Sequence, residues 1–198
     1  MKKVLIIAFL MLTALQSAIS QTKKIEDLYL DYTQVRNSPN RKAAKEKALA
    51  LLDRKTELNA KQLANVNFHL AGLYEENKEP ELAIPHYEQV IKLVPGYYVA
   101  HRAMGFINLK KCDVLGRKVS AAAQAKNAAL HAESFKGYKK QVLLTLPYLE
   151  KSQACDPDDN TLNIITNLYK SIKDTQSLAS LDNRLKELAK DNVSLLDE

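Results

Sequence analysis

Metal, redox or nucleophilic chemistry in this chain of 198 residues would have to come from four histidines, two cysteines and nearby acids and serines. A metal ion needs several imidazole, thiolate or carboxylate donors at one point, and common sites show short fixed spacings such as H-E-x-x-H or Cys-x-x-Cys. His69, His86, His101 and His131 match none of these, and Cys112 and Cys155 stand alone in the sequence. Two cysteines are too few for a four-thiolate zinc site or a disulfide scaffold. No serine lies in G-x-S-x-G, and there is neither a P-loop nor a glycine-rich dinucleotide loop. The paired acids Glu75-Glu76 and Asp158-Asp159 read as a helix end and a helix start. The residues therefore predict no catalytic group, no metal and no cofactor. The enzymatic alternative is an envelope hydrolase assembled from residues scattered along the chain.

Charge is the other candidate chemistry. The formal net charge is +6, unevenly spread. Residues 101–151 hold ten Lys/Arg against three Asp/Glu, whereas residues 152–198 hold five against nine. Single-strand binders interleave aromatic side chains among their cations so that bases can stack. Here aromatics are 7% of the chain and few accompany the lysines, so no nucleic-acid partner is expected. The basic segment reads as a solvated helical arm. Its alternative reading is a binder of an anionic envelope glycan or lipid through residues 102–151.

Part of the basic excess belongs to the first twenty residues. Lys2 and Lys3 precede a largely apolar run at residues 4–15, and Ala18 and Ser20 fall at the −3 and −1 positions of a cleavage site. Twelve residues make a helix of roughly 18 Å, against a hydrocarbon core of roughly 30 Å. The segment therefore predicts a cleaved secretory signal rather than a membrane span. It leaves a mature chain, residues 21–198, that is periplasmic or secreted. No cysteine lies near the cleavage site, so a lipidated N-terminus is not expected. No later stretch is apolar enough for an integral span.

The elements that must position these side chains are helices. Spacings of i, i+3, i+4 and i+7 recur, period-two alternation does not, and five glycines are too few for many tight turns. Helices are predicted at about residues 25–36, 38–54, 59–77 and 80–93, the second opening on Ser38 as cap and Pro39 at its first position. The first two form a leading helical pair over residues 21–60.

The third and fourth carry the most informative spacing: Leu70, Ala71, Tyr74, Ala83, Tyr87 and Pro95. This pattern resembles the tetratricopeptide repeat (TPR), a 34-residue helix–turn–helix unit, with Ala71 in place of Gly, Tyr87 in place of Phe and Asn67 in place of Trp. Small residues at Ala71 and Ala83 would let the two helices approach, while Leu70, Tyr74 and Tyr87 fill the space beside them. An internal copy supports the unit. Leu146-Pro147-Tyr148-Leu149-Glu150-Lys151 and then Pro157 echo Ile84-Pro85-His86-Tyr87-Glu88-Gln89 and then Pro95. A second repeat would start near Tyr98, with Met104-Gly105 at the Leu-Gly position. It carries about 28 extra residues before its second helix resumes. A degenerate third unit from Asn160 holds Leu162, Ile165, Leu168, Tyr169 and Ala179, and would act as a cap.

The resemblance implies an all-α fold, a TPR-like right-handed solenoid of antiparallel hairpins over residues 61–190, followed by an acidic tail at 191–198. One hairpin would be lengthened by a helical insertion around residues 113–137. A stripe of Ala121, Ala125, Ala128 and Ala132 marks that insertion, with Leu130 and Phe135 adding bulk. Fourteen extra residues per helix would project about 21 Å. Its tip falls near Lys126-Asn127 by arithmetic, or near Gly137 by turn chemistry. Pro147 is expected to kink the returning helix. On this hairpin Cys112 and Cys155 would lie roughly 20 Å apart, too far for a disulfide, so two free, partly buried thiols are expected.

The resemblance also implies a function, binding of a protein or peptide along the first helices of each repeat, by an adaptor or scaffold without enzymatic activity. The groove positions would be Asn65, Phe68, Gly72, Glu75, Glu76, Val99, Arg102, Phe106 and Lys110. Phe68, Val99 and Phe106 would form an apolar strip, with Arg102 and Lys110 facing the two glutamates. The carboxylate clamp of chaperone-binding family members is not implied, because Phe68 and Gly72 replace residues that it needs.

Overall fold

The computed structural model describes residues 23–196, so the expected signal segment and cleavage site lie outside the described residues. Among the described residues the fold is all-helical, with no strand and one isolated parallel bridge between Tyr97 and Val193. The chain divides into two compact units, with the boundary between Leu58 and Asn59.

In the first unit, α1 (Ile25–Val35) packs on α2 (Arg41–Asp53), and a 3-10 turn (Lys55–Glu57) follows. The second helix starts later than the Ser38-Pro39 signal suggests. Asn40 caps it instead, its side chain accepting from the Ala43 amide at 3.1 Å. Ile25 and Tyr32 of α1 and Ala44, Ala48 and Leu51 of α2 are buried. Arg54 closes the unit, pairing with Glu57 through two nitrogens and donating to the Lys23 carbonyl at 2.6 Å.

The second unit is a chain of helical hairpins: α3 (Ala60–Glu76), α4 (Pro80–Leu93), α5 (Tyr98–Gln124), α6 (Ala128–Cys155), α7 (Asp159–Ser171), α8 (Thr175–Ala179) and α9 (Leu181–Leu188). A capping box between Asn59 and Gln62 starts α3, and Pro80 occupies the first position of α4. Sequence neighbours pack on one another, α3 on α4, α4 on α5, α5 on α6 and α6 on α7. Ala71 and Ala83 are fully buried in the first pair, and a β-carbon at Gly105 would meet Leu149 at 2.6 Å. Small residues thus set the close approach in both hairpins.

One turn design recurs three times. Lys78, Lys126 and Lys173 are the only non-glycine residues with positive φ among the described residues, at 62°, 51° and 58°. Each follows the end of its hairpin's first helix. Its amide donates three residues back, and the next amide reaches five residues back: Lys78 to Glu75 and Glu79 to Tyr74, Lys126 to Ala123 and Asn127 to Ala122, Lys173 to Lys170 and Asp174 to Tyr169, all within 3.1 Å. These are Schellman closures with lysine in the left-handed position where glycine is usual. They place the tip of the long hairpin at Ala125–Lys126–Asn127. Gly137 lies inside α6, which corrects the alternative turn. Pro147 also lies within α6, whose helix is continuous from Ala128 to Cys155.

Two apolar clusters hold the unit. One joins α3, α4 and α5 through Ala71, Ala83, Tyr87, Val90, Tyr97, Met104 and Ile107. The other joins α5, α6 and the last helices through Cys112, Val142, Leu146, Leu149, Ile165, Leu168 and Leu181. Beyond them the long hairpin projects within the unit. Pro80 of α4 lines one cleft with Lys110 and Val114, and Ser171 of α7 bonds Tyr138 at 2.8 Å. About ten residues of each long helix therefore extend past their neighbours, roughly 15 Å at 1.5 Å per residue. The alanine stripe faces solvent there, with Ala121, Ala125, Ala128 and Ala132 exposed and Ala122 the buried contact.

Two further features concern the chain's end. The last hairpin's second helix is broken at Ser180 into α8 and α9. Residues 192–196, within the expected acidic tail, are docked, while its acids Asp197 and Glu198 lie outside the described residues. The Val193 amide bonds the Gly96 carbonyl at 2.9 Å, and Val193 and Leu196 pack on the first cluster. Gly96 permits this approach, since a β-carbon there would fall 2.0 Å from the Asp191 carbonyl oxygen. Buried Lys151 donates to the carbonyls of Leu188 at 2.7 Å and Asp191 at 3.2 Å, capping the end of α9 with a cation.

Candidate functional site

The nine expected groove residues do not form one open surface. Asn65 is 4% exposed, inside the packing of α3. Phe68 meets Tyr87 and Tyr97 edge to face, with ring centroids 6.0 and 5.1 Å apart, so it belongs to the core stack. Helical register alone placed Phe68 outward; the turn at residues 94–97 brings Tyr97 over it. Glu75 accepts from the Tyr87 hydroxyl at 2.5 Å, and burial followed by that carboxylate drives the phenol's pKa upward. Arg102 pairs with Asp156 at 2.7 Å, which corrects its expected position opposite the glutamates. Val99 and Gly72 are half-buried, while Glu76, Phe106 and Lys110 are exposed.

Phe106 and Lys110 lie along α5 where the short hairpin ends. Because α4 begins at Pro80 while α5 continues upward, the bare face of α5 and the start of α4 enclose a cleft of about 420 Å³. Ile107, Val114 and Leu115 give it apolar lining, and Lys110, Lys111, Glu81 and Gln141 add polar groups. Val114 is 46% exposed. This combination suits an aliphatic group that carries a carboxylate.

A second cavity, of about 630 Å³, lies between α6 and the broken final hairpin, and nothing in the sequence pattern indicated it. Leu143, Leu146, Pro147 and Leu188 wall it, above Glu150, Tyr169 and Arg184. The polar floor is internally satisfied. Arg184 bonds both Glu150 oxygens at 2.8 and 3.1 Å, the Tyr169 hydroxyl at 2.9 Å, and Ser177 O and Ser180 Oγ at 2.6 Å each. Those contacts use all five guanidinium N–H groups. The Tyr169 hydroxyl donates to Glu150 in turn, and burial first, then Glu150, raises its pKa. With its protons and charge committed inward, the network ties α8 and α9 to α6 instead of offering groups to a substrate. It also satisfies the Ser177 carbonyl that the helix break at Ser180 releases.

The remaining reactive side chains are engaged similarly. His86 Nδ1 lies 2.8 Å from Asn67 Oδ1, with its ring stacked on Tyr74, and His101 Nε2 lies 2.8 Å from the Pro95 carbonyl. Burial lowers the pKa of both imidazoles. Both cysteines are free thiols. Cys112 is buried against Thr145 at 3.3 Å, and burial raises both thiol pKa values, which lowers their reactivity. Among the described residues no three His, Cys, Asp or Glu side chains gather as a metal site, and no helix is long and apolar enough to cross a membrane. No known protein family matches the chain, and no characterised protein or solved structure shows significant similarity to it.

Proposed function

We propose that this chain is a non-enzymatic interaction module of the bacterial envelope, exported through its N-terminal segment, whose hairpins wind as a TPR-like solenoid. It binds a peptide or protein segment along α5. The observation that carries this reading is the cleft lined by Ile107, Lys110, Lys111, Val114 and Leu115, where apolar side chains and two lysines meet; Phe106, one helical turn before Lys110 and outside the lining, is 37% exposed. The ligand it suits is an extended or helical segment with an aliphatic side chain for Ile107, Val114 and Leu115 and an acidic group for Lys110 and Lys111. The repeated Schellman turns and the paired alanines support the repeat reading.

Selection from a displayed random-peptide library tests it. The wild-type chain is expected to enrich acidic-aliphatic peptides. Phe106→Ala/Lys110→Glu should lose them while keeping the wild-type helical circular-dichroism spectrum, since both side chains reach solvent. Identical enriched sets would overturn the assignment to this cleft. Fractionation of cells expressing the full chain tests export, with retention in the cytoplasm at full length the contrary result.

A further inference from the structure

The projecting end of the long hairpin is divided by chemistry along its length. From Val119 to Ala132 the only formal charge is Lys126. The exposed residues of that stretch are dominated by Ala121, Ala123, Ala125, Ala128, Ala129 and Leu130, and Leu130 is 48% exposed. Below this tip the charge changes sharply. Between Val114 and Lys140 there are six Lys/Arg against Glu133 alone. Arg117 and Lys118 on α5 and Lys136 on α6 are all exposed, and Lys139 and Lys140 follow one turn further down.

The spacing of the two zones is set by helix geometry. Arg117 lies eight residues before Ala125 and Lys136 nine after Asn127. At 1.5 Å per residue both fall about 12–14 Å below the tip. Peripheral helices sink roughly 5–10 Å into the boundary between headgroups and acyl chains. A tip at that depth would leave the collar, on its flexible stems, at the level of the lipid phosphates.

We propose that this hairpin is a membrane-surface probe. Its alanine–leucine tip enters the interface of a bilayer, while Arg117, Lys118 and Lys136 hold anionic headgroups. Charge complementarity selects an anionic surface, and the largely apolar tip, with Lys126 as its one charge, selects a bilayer over a soluble polyanion. A glycan or acidic protein would gain from the collar but nothing from the exposed leucine and alanines. The arm lies beyond the α4 and α7 packing, so engagement needs no rearrangement of the clusters beneath it.

The chain contains no tryptophan, so Ala125→Trp introduces a single reporter at the tip. The full chain carrying it is mixed with vesicles of phosphatidylcholine alone or with about 30% phosphatidylglycerol added to make the surface anionic. Expected are a blue shift of its emission and quenching by brominated acyl chains, with anionic vesicles only. Lys92→Trp, on exposed α4, should show neither. In parallel, vesicle co-sedimentation compares the tryptophan-free chain with Arg117→Gln/Lys118→Gln/Lys136→Gln. Each cation near an anionic surface is worth about fivefold in binding, so the triple variant should bind about a hundredfold more weakly. Both proteins share residues 1–20, so the difference reads the arm alone. Moderate salt should weaken the wild type similarly. An unshifted emission from the Ala125→Trp chain, equal binding to neutral vesicles, or an unaffected triple variant overturns the proposal. So does binding to a soluble acidic polysaccharide with no binding to vesicles. Phe106→Ala/Lys110→Glu is expected to leave vesicle binding unchanged, which separates this surface from the peptide cleft.

Discussion

The three lysine-bearing turns make a quantitative demand on stability. An L-residue held in the left-handed region costs about 1–2 kcal/mol, and glycine escapes that cost while giving up roughly 0.5–1 kcal/mol through its freer unfolded chain. Replacing lysine also removes a cation from a helix C-terminus, a contribution of about 0.3–1 kcal/mol. Alanine removes the same cation but keeps the strained backbone, so the glycine–alanine pair isolates the conformation. At φ of 62°, 51° and 58° the glycine variant should exceed the alanine variant by about 0.7 kcal/mol per turn. Each turn closes a different hairpin and they share no partner, so the terms should add to about 2 kcal/mol for the triple variants. For a chain of this size that corresponds to roughly 4–8 °C between Lys78→Gly/Lys126→Gly/Lys173→Gly and its alanine counterpart. Thermal and urea melts followed by circular dichroism at about 222 nm, the helical band, read the difference. A triple-alanine protein as stable as the triple-glycine one would refute the Schellman assignment and with it the shared turn design.

Three further outcomes follow from the packing. Arg184→Met should destabilise by about 3 kcal/mol, because it strands the Glu150 carboxylate, which is 5% exposed, while Arg184→Met/Glu150→Met should recover much of that in urea titrations. His86 and His101 have pKa values lowered by burial, so the unfolded chain takes up protons more readily. Stability should therefore rise with pH through and just below the ordinary histidine range, and melts between about pH 5 and pH 7 should show a shallower slope for His86→Gln/His101→Gln. Gly96→Ala should detach residues 192–196, because its β-carbon would overlap the Asp191 carbonyl. Faster exchange of the Val193 amide measures that release, and an amide still protected would argue against the docking.

The hairpins were legible in the sequence because their determinants are local. Leu70, Tyr74, Ala83 and Tyr87 declare their shared faces through spacing alone. The long hairpin's tip was legible by arithmetic but was obscured by Gly137, since a glycine in a helix leaves the same mark as a turn. What stayed hidden depends on residues distant in sequence. Gly96 reads as an ordinary turn glycine after Pro95 until the chain's end is seen passing over it. Arg184 reads as a surface cation until Glu150 and the carbonyl freed at Ser180 meet it. That break has no glycine or proline to announce it. Ser180 Oγ instead bonds the carbonyls of Gln176 and Ser177, competing with the helical ladder. The groove was over-read for a related reason: Phe68 faces outward on its own helix and is covered by Tyr97 from the next turn.

The docked C-terminal segment alters how this molecule comes apart. A row of helical hairpins touches only its neighbours, and such rows loosen unit by unit from their ends. Here residues 192–196 return from the last hairpin to Gly96 at the base of the α4–α5 turn, and Lys151 fastens the carbonyls along the way. The row is thereby closed into a loop of mutually dependent contacts, in which the final hairpin cannot fray without giving up apolar contacts in the first cluster. Removing the segment should convert one sharp unfolding transition into a broad, staged one, with α8 and α9 leaving first.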